Sequence, residues 1–136
     1  MVTLDLPPEP RSATRAREVT REHLAGTCPK DAVEIAALLV TELVTNAVLH
    51  ARTAIMVGIE ASPGHVMLRV TDGSEAQPVR RNYATDASTG RGIKLVEALA
   101  SSWGVERSAS GKAVWCQIDF PPVSPDADSA RNEVPR

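Results

Sequence analysis

Residues 42–51, ELVTNAVLHA, decide how the chain is read, because three polar side chains, Glu42, Asn46 and His50, recur at every fourth position of a mostly apolar run. An α-helix turns about 100° per residue, so positions i and i+4 stack on one face with Cβ atoms roughly 5 to 6 Å apart. The three groups can therefore share one bound species. Carboxylate and amide oxygens are hard donors, and one such donor completed by waters and phosphates is the usual way Mg²⁺ is held. The row is a candidate metal and phosphate face.

The helix carrying this row is expected to start at Pro29 and reach His50. Proline suits a helix start, where its missing N–H would have been unpaired, and Asp31 puts negative charge near the positive end of the dipole. Ile35, Leu38, Leu39, Leu43, Val44, Val48 and Leu49 make the helix apolar around most of its circumference, the mark of a helix buried in a domain. Upstream, Val2, Leu4 and Leu6 alternate before Pro7 to Pro10 break the pattern, so residues 1–11 read as an extended segment. Ser12 is expected to cap a first helix that runs to Gly26. Its charged side, with Arg15, Arg17, Arg21 and Glu22, reads as solvated surface.

Downstream, AIMVGIEA (54–61) and HVMLRVTD (65–72) read as an antiparallel hairpin turned at Ser62, Pro63 and Gly64. Residues 73–90 are polar and without period; loops of this length in small domains are usually lids, binding loops or disordered segments. In GRGIKLVEALASSWG (90–104) a third helix is expected, with Ile93, Val96, Leu99, Ala100 and Trp103 on one face and Gly104 as its stop. Two short strands follow, around Val105 to Arg107 and Ala113 to Phe120, turned at Ser110 and Gly111. The tail, residues 121–136, holds too few apolar residues to offset the entropy of ordering and is expected to be disordered.

A length of 136 residues suits one domain. A net charge of −2 and a pI near 5.9 give no electrostatic reason to expect nucleic acid, whose binding depends on phosphate neutralisation. With aromatics at 3%, a base-stacking surface is also disfavoured, and the core is left to Ala, Val, Leu and Ile, which suits helices layered on a sheet. Cys28 and Cys116 have no metal-ligand spacing and read as packed thiols in a reducing compartment. The N-terminus lacks the basic start and apolar stretch of a signal peptide, and no apolar run approaches the ~18 residues of a membrane span. A cytoplasmic protein without membrane contact is the expectation.

Two further places can carry chemistry. Asp-Gly is an ordinary way to leave a strand, yet Asp72 also heads the long polar loop, where a carboxylate can accept from the exocyclic amine of adenine. Gly90-Arg91-Gly92 opens the third helix, where unpaired amides and the dipole make an anion site and glycine lets phosphate approach the backbone. Either feature alone is weak. A Walker A motif and Rossmann spacing are both absent, so a nucleotide fold here must be of another kind. His50 ends its helix, where a cationic side chain favours the dipole, and reads as a cap.

Taken in order, ELVTNAVLHA, VTDGSEAQP (70–78), TGRGIKLVEALASSWGV (89–105) and GKAVWCQI (111–118) resemble the GHKL ATP-binding superfamily, in particular its anti-sigma-factor serine/threonine kinase branch of actinobacterial type. The likeness covers about residues 12–120. It implies a Bergerat-type fold, a two-layer α/β sandwich with a mixed, mainly antiparallel sheet under helices, with a lid at about 73–90. By the same resemblance Glu42 is the general base or water orienter, Asn46 holds Mg²⁺, Asp72 and Ser74 belong to the adenine box, and Gly90, Arg91, Gly92 and Ile93 wrap the phosphates of ATP. Family members phosphorylate a serine on an anti-sigma antagonist, many also sequester a sigma factor, and dimers are common. A homodimer is thus one option here.

Two departures from the family pattern bear on this. The first glycine box, DxGxG in the wider superfamily, is Asp72-Gly73-Ser74-Glu75-Ala76. In the last box Ala113 stands where the family commonly has threonine near adenine, which would remove one hydrogen bond of roughly 0.5 to 1.5 kcal/mol. These departures motivate the alternative of a non-catalytic nucleotide-binding regulator that sequesters a transcription factor or antagonist.

Overall fold

The computed structural model of the chain describes residues 1–74 and 94–121. In chain order, Val2–Leu6 form strand β1, Arg11–Leu24 helix α1, Lys30–His50 helix α2, Ile55–Ser62 strand β2 and His65–Asp72 strand β3. Residues 94–99 are helical (α3), and Ser102–Ser108 (β4) and Gly111–Asp119 (β5) complete the fold. The strands lie in the order β1-β2-β3-β5-β4, every neighbour antiparallel. The expected two-layer α/β sandwich is present, with a sheet that is antiparallel throughout rather than mixed.

The period-2 pattern explains which side the helices cover. Ile55, Val57 and Ile59 of β2, Val66, Leu68 and Val70 of β3, and Val114, Cys116 and Ile118 of β5 form the buried rows. Across them lies α2, in contact chiefly with β3 and also with β2 and β5, while α1 packs beside α2 and touches β1 and β2. Ala36, Leu39, Val40 and Val44 of α2 are fully buried or nearly so. Contrary to the expectation that no apolar run approaches a membrane span, α2 is long and apolar enough to cross one; its burial in this core accounts for the same composition.

Several boundaries differ from the sequence reading. The alternating Val2, Leu4 and Leu6 pair with Ile59, Val57 and Ile55 as an edge strand, so the folded unit begins at β1 rather than at residue 12. Ser12 does not cap α1. Pro10 already has helical angles, and the buried Ser12 hydroxyl instead donates to the Pro7 carbonyl at 2.6 Å, latching the turn between β1 and α1. The third helix stops short of Trp103, because the Ser101 amide donates to the Gln117 carbonyl and Ser102–Ser108 join the sheet. Gly104 is therefore a strand residue. It lies opposite Trp115, where an added Cβ would come within 2.9 Å of the indole. Residues 75–93, with most of the expected lid, and residues 122–136 of the expected tail lie outside the described residues.

Both thiols are packed, as the sequence reading expects, and neither is in a disulfide. Burial pushes the Cys116 thiol up to about 12 and raises that of half-buried Cys28 as well. Since the thiolate is the nucleophile, native protein at pH 8.5 should leave Cys116 unalkylated by iodoacetamide. Mass spectrometry should find it labelled only after unfolding in urea, and native labelling at the rate of a free thiol would contradict this burial.

Candidate functional site

Alternation along β3 extends the buried row Val66, Leu68, Val70 by one more step to Asp72, so the strand itself delivers this carboxylate to the helix side of the sheet. Asp72 is 4% exposed. Directly above, α2 presents Asn46, also buried, and both residues line one cavity together with Leu43, Ala47, Val70, Lys112 and Val114. Its free volume of about 10 Å³ is the room of a single water. Two residues more than 25 positions apart, each singled out in the sequence, thus meet at one place.

Asn46 is 8% exposed, and among the described residues its amide has no hydrogen-bond partner. Leaving such a group unpaired in the interior costs about 1 to 3 kcal/mol. An apolar residue would suit a purely structural helix better. Glu42, one turn earlier on α2, is half-buried and likewise has no partner among the described residues. Together they offer hard oxygen donors without the three-residue His, Cys, Asp or Glu cluster of a protein-only metal cage, which is absent among the described residues. Such a donor set fits Mg²⁺ held jointly by protein and phosphate. Glu42 is not among the residues that line the Asn46 and Asp72 cavity.

The Asp72 turn is fastened from three sides. Its Oδ1 accepts the Ser74 amide at 2.8 Å, closing an Asx turn, and its Oδ2 lies 3.9 Å from Lys112 Nζ. The Gly73 amide donates to Thr53 Oγ1 at 2.8 Å, tying the turn to the connection between α2 and β2. That connection is itself tightly wound: Arg52, just past the end of α2, takes a left-handed φ of 57°. Replacing Thr53 with Val removes this bond and the one its hydroxyl donates to the Ala54 carbonyl at 3.1 Å, and should cost about 1 to 3 kcal/mol. Faster hydrogen exchange at the Gly73 amide, with the rest of β3 unchanged, is the measurement that checks it.

Thr53 and Lys112 were not singled out in the sequence. Thr53 lies 20 residues from its partner, with no pattern to link them. Lys112 was missed for a reason of parity. In the register Asp72 faces Lys112 and Thr71 faces Ala113, so Lys112 shares the helix side with Asp72 while Ala113 points to the opposite face. There it lines a separate cavity with Arg69, Thr71 and Glu106. Ala113 therefore removes nothing from the Asp72 site, and the weakening expected from it does not apply.

Of the other residues singled out, Ser74 reaches the site through its backbone amide, and His50 is exposed at the end of α2. Gly90, Arg91, Gly92 and Ile93 lie outside the described residues. Immediately after them, Val96 of α3 is fully buried in the core.

Comparison with known proteins bears on the fold and the family. No curated protein matches the chain. Among solved structures, a histidine kinase domain from the Erythrobacter litoralis EL346 blue-light activated histidine kinase is similar, with 20% identity and a TM-score of 0.52, over 83% of this chain and 61% of that one. A second structure of that blue-light activated kinase matches with 20% identity and a TM-score of 0.53, over 78% of this chain and 40% of that one. The chain thus spans less than two thirds of either structure, and the likeness establishes the fold. The family described as "Histidine kinase-like ATPase domain" matches residues 6–118, the span that runs from the end of β1 through β5 and includes the buried Asn46 and Asp72, and the chain belongs to that family of ATP-binding, kinase-like domains.

Proposed function

We propose that this chain is a Mg-ATP-dependent protein serine/threonine kinase of the actinobacterial anti-sigma type, which phosphorylates a serine on an anti-sigma antagonist and so regulates a sigma factor by partner switching. The observation that carries the nucleotide part of this reading is the buried Asn46 amide, without a hydrogen-bond partner among the described residues, opening on the same cavity as Asp72. Asp72, oriented by the Ser74 amide, accepts from the adenine amine. Asn46 supplies one oxygen to Mg²⁺, whose charge offsets that of the phosphates. Glu42, one turn away, accepts the proton of the attacking serine hydroxyl as its oxygen bonds to the γ-phosphorus and ADP leaves. Phosphoryl transfer asks the protein for positioning and charge stabilisation rather than covalent chemistry, so these few groups suffice.

The protein partners follow the family resemblance, an anti-sigma antagonist and a sigma factor, with a homodimer as one arrangement; cytoplasmic action without nucleic acid or membrane is part of the same proposal. The non-catalytic alternative loses one of its two motives, since Ala113 faces away from the site. Glu42→Gln separates the two. If Glu42 is the base, the variant should bind Mg-ATP as the wild type does while phosphate transfer to the cognate antagonist falls by about 10²- to 10⁴-fold. Wild-type protein that binds Mg-ATP yet labels no antagonist with γ-phosphate from native extract would sink the kinase reading and favour a nucleotide-gated binder.

A further inference from the structure

Gly58 sits in the middle of β2, paired with Thr3 on one side and Arg69 on the other, with Met56 and Glu60 beside it on the same face. Nothing in the described fold requires glycine there. The register is unbroken, its φ is not left-handed, and an added Cβ would meet only the Met1 thioether at 3.9 Å and the Arg69 Cβ at 4.0 Å, ordinary contacts. Gly104 is the contrast, since the Trp115 indole occupies the space its Cβ would take. Glycine inside a strand forfeits side-chain packing and costs backbone entropy, and where no bulge or bend explains it, it marks a place that another molecule approaches closely.

The space it leaves is a cavity of about 400 Å³ on the face of the sheet opposite α1 and α2. Strand parity brings Glu60, Met67, Arg69, Trp115 and Gln117 to that face, and all of them line the cavity. The Met67 thioether and the Trp115 indole, both half-buried, supply apolar wall. Charge on the face is uneven: Asp5, Glu60, Glu106 and Asp119 stand against Arg69, with His65 the other ionisable group. Arg69 is paired with Glu106, and Asp119 accepts from the Gln117 amide, whereas Glu60 has no partner among the described residues. The unmatched charge in the cavity is therefore negative.

We propose that this cavity is a docking site for an arginine side chain of a protein partner, which stacks on Trp115 and meets Glu60. Glu60 and Trp115 stand two strands apart, with backbones roughly 10 to 12 Å from each other along the diagonal. A guanidinium fills such a gap, taking the carboxylate at one end with the indole within about 6 Å at the other. Arginine suits the walls better than lysine does, because its planar group both stacks on an aromatic face and forks onto a carboxylate. The cavity lies across the sheet from Asn46 and Asp72, so a partner seated here leaves that site open, and this docking site is independent of the nucleotide reading.

NMR titration of the isotope-labelled full chain, with a blocked pentapeptide of alanines around one central arginine, tests this. The Gly58 amide and the Trp115 indole N–H are expected to shift, with a Kd on the order of 1 mM, while the Asn46 side-chain amide stays in place. The same peptide with neutral citrulline for arginine should bind about 3- to 30-fold more weakly, the combined scale of an exposed ion pair and a cation–π contact. E60Q should weaken the arginine peptide by about 2- to 5-fold. G58V, whose side chain fills the floor of the cavity, should abolish binding while keeping the wild-type melting temperature and response to Mg-ATP. Should G58V fail to fold, G58A takes its place and should weaken binding. Equal binding of the arginine and citrulline peptides, a folded Gly58 variant that binds as the wild type does, or no shift at Gly58 and Trp115 overturns the proposal. Free arginine that binds more than about tenfold tighter than the peptide marks a small-molecule site and overturns the protein partner.

Discussion

An Asn46→Ala protein is expected to melt within a few degrees of the wild type and to gain nothing from Mg-ATP. Two opposing effects set its intrinsic stability. Removing a buried amide that has no partner among the described residues relieves about 1 to 3 kcal/mol, while the lost side chain enlarges an existing cavity at comparable cost. They should offset to within about 1 kcal/mol. Ligand binding has no such compensation. A nucleotide at 100 times its Kd stabilises the folded wild type by about 2.7 kcal/mol, a rise in Tm of roughly 10 °C for a chain of this size. Thermal shift with and without Mg-ATP reads both effects. A large loss of Tm in the absence of ligand would make Asn46 a structural residue, and a Mg-ATP shift equal to that of the wild type would remove it from the site.

The contrast between Asn46 and Lys112 shows what the sequence made legible and what it did not. Helical periodicity is coarse enough to survive an error of a residue or two, so α2 and its polar row could be read directly, and α2 runs from Lys30 to His50. Asp72 was legible because the row Val66, Leu68, Val70 runs straight into it. Strand parity forgives nothing, since a step of one residue exchanges the two faces of a sheet. The sequence points to Ala113 as the residue of the last box near adenine, and that Lys112 is the one beside Asp72 is supplied only by the pairing of β3 with β5.

The third helix illustrates a different limit. Apolar spacing through Leu99, Ala100 and Trp103 suits a helix face, but the same residues also suit a chain leaving a helix for a half-buried strand. Cross-strand pairing of Trp103 with Cys116 and of Gly104 with Trp115 decides between them. Local propensity was overridden by a partner that lies beyond any local window. The same holds for β1, whose short apolar alternation needed the exposed edge of β2 to become a strand.

Gly111→Ala is expected to be the most damaging small substitution in the described fold. Gly111 has a φ of +144°, unfavourable for any residue with a side chain, and an added Cβ would lie 2.0 Å from the Asp72 carbonyl oxygen and 3.0 Å from the Gly73 Cα. These are backbone atoms and cannot rotate away. Relief requires the hairpin between β4 and β5 to part from the end of β3, which breaks the pairing that sets Lys112 beside Asp72. A loss of about 3 to 5 kcal/mol is expected, the scale reserved for strain at special backbone positions, with a fall in Tm of more than 10 °C. Gly26→Ala is the matched control. Gly26 also has a positive φ, +79°, but nothing within 4 Å of an added Cβ, so only the backbone penalty of about 1 kcal/mol remains. Urea denaturation of both variants checks the difference: equal losses would mean that backbone conformation alone, and not the contact with Asp72, requires glycine at position 111. Where the Gly111 variant remains folded in the cold, its nucleotide affinity should fall too, because the displaced atoms are those of the Asp72 turn.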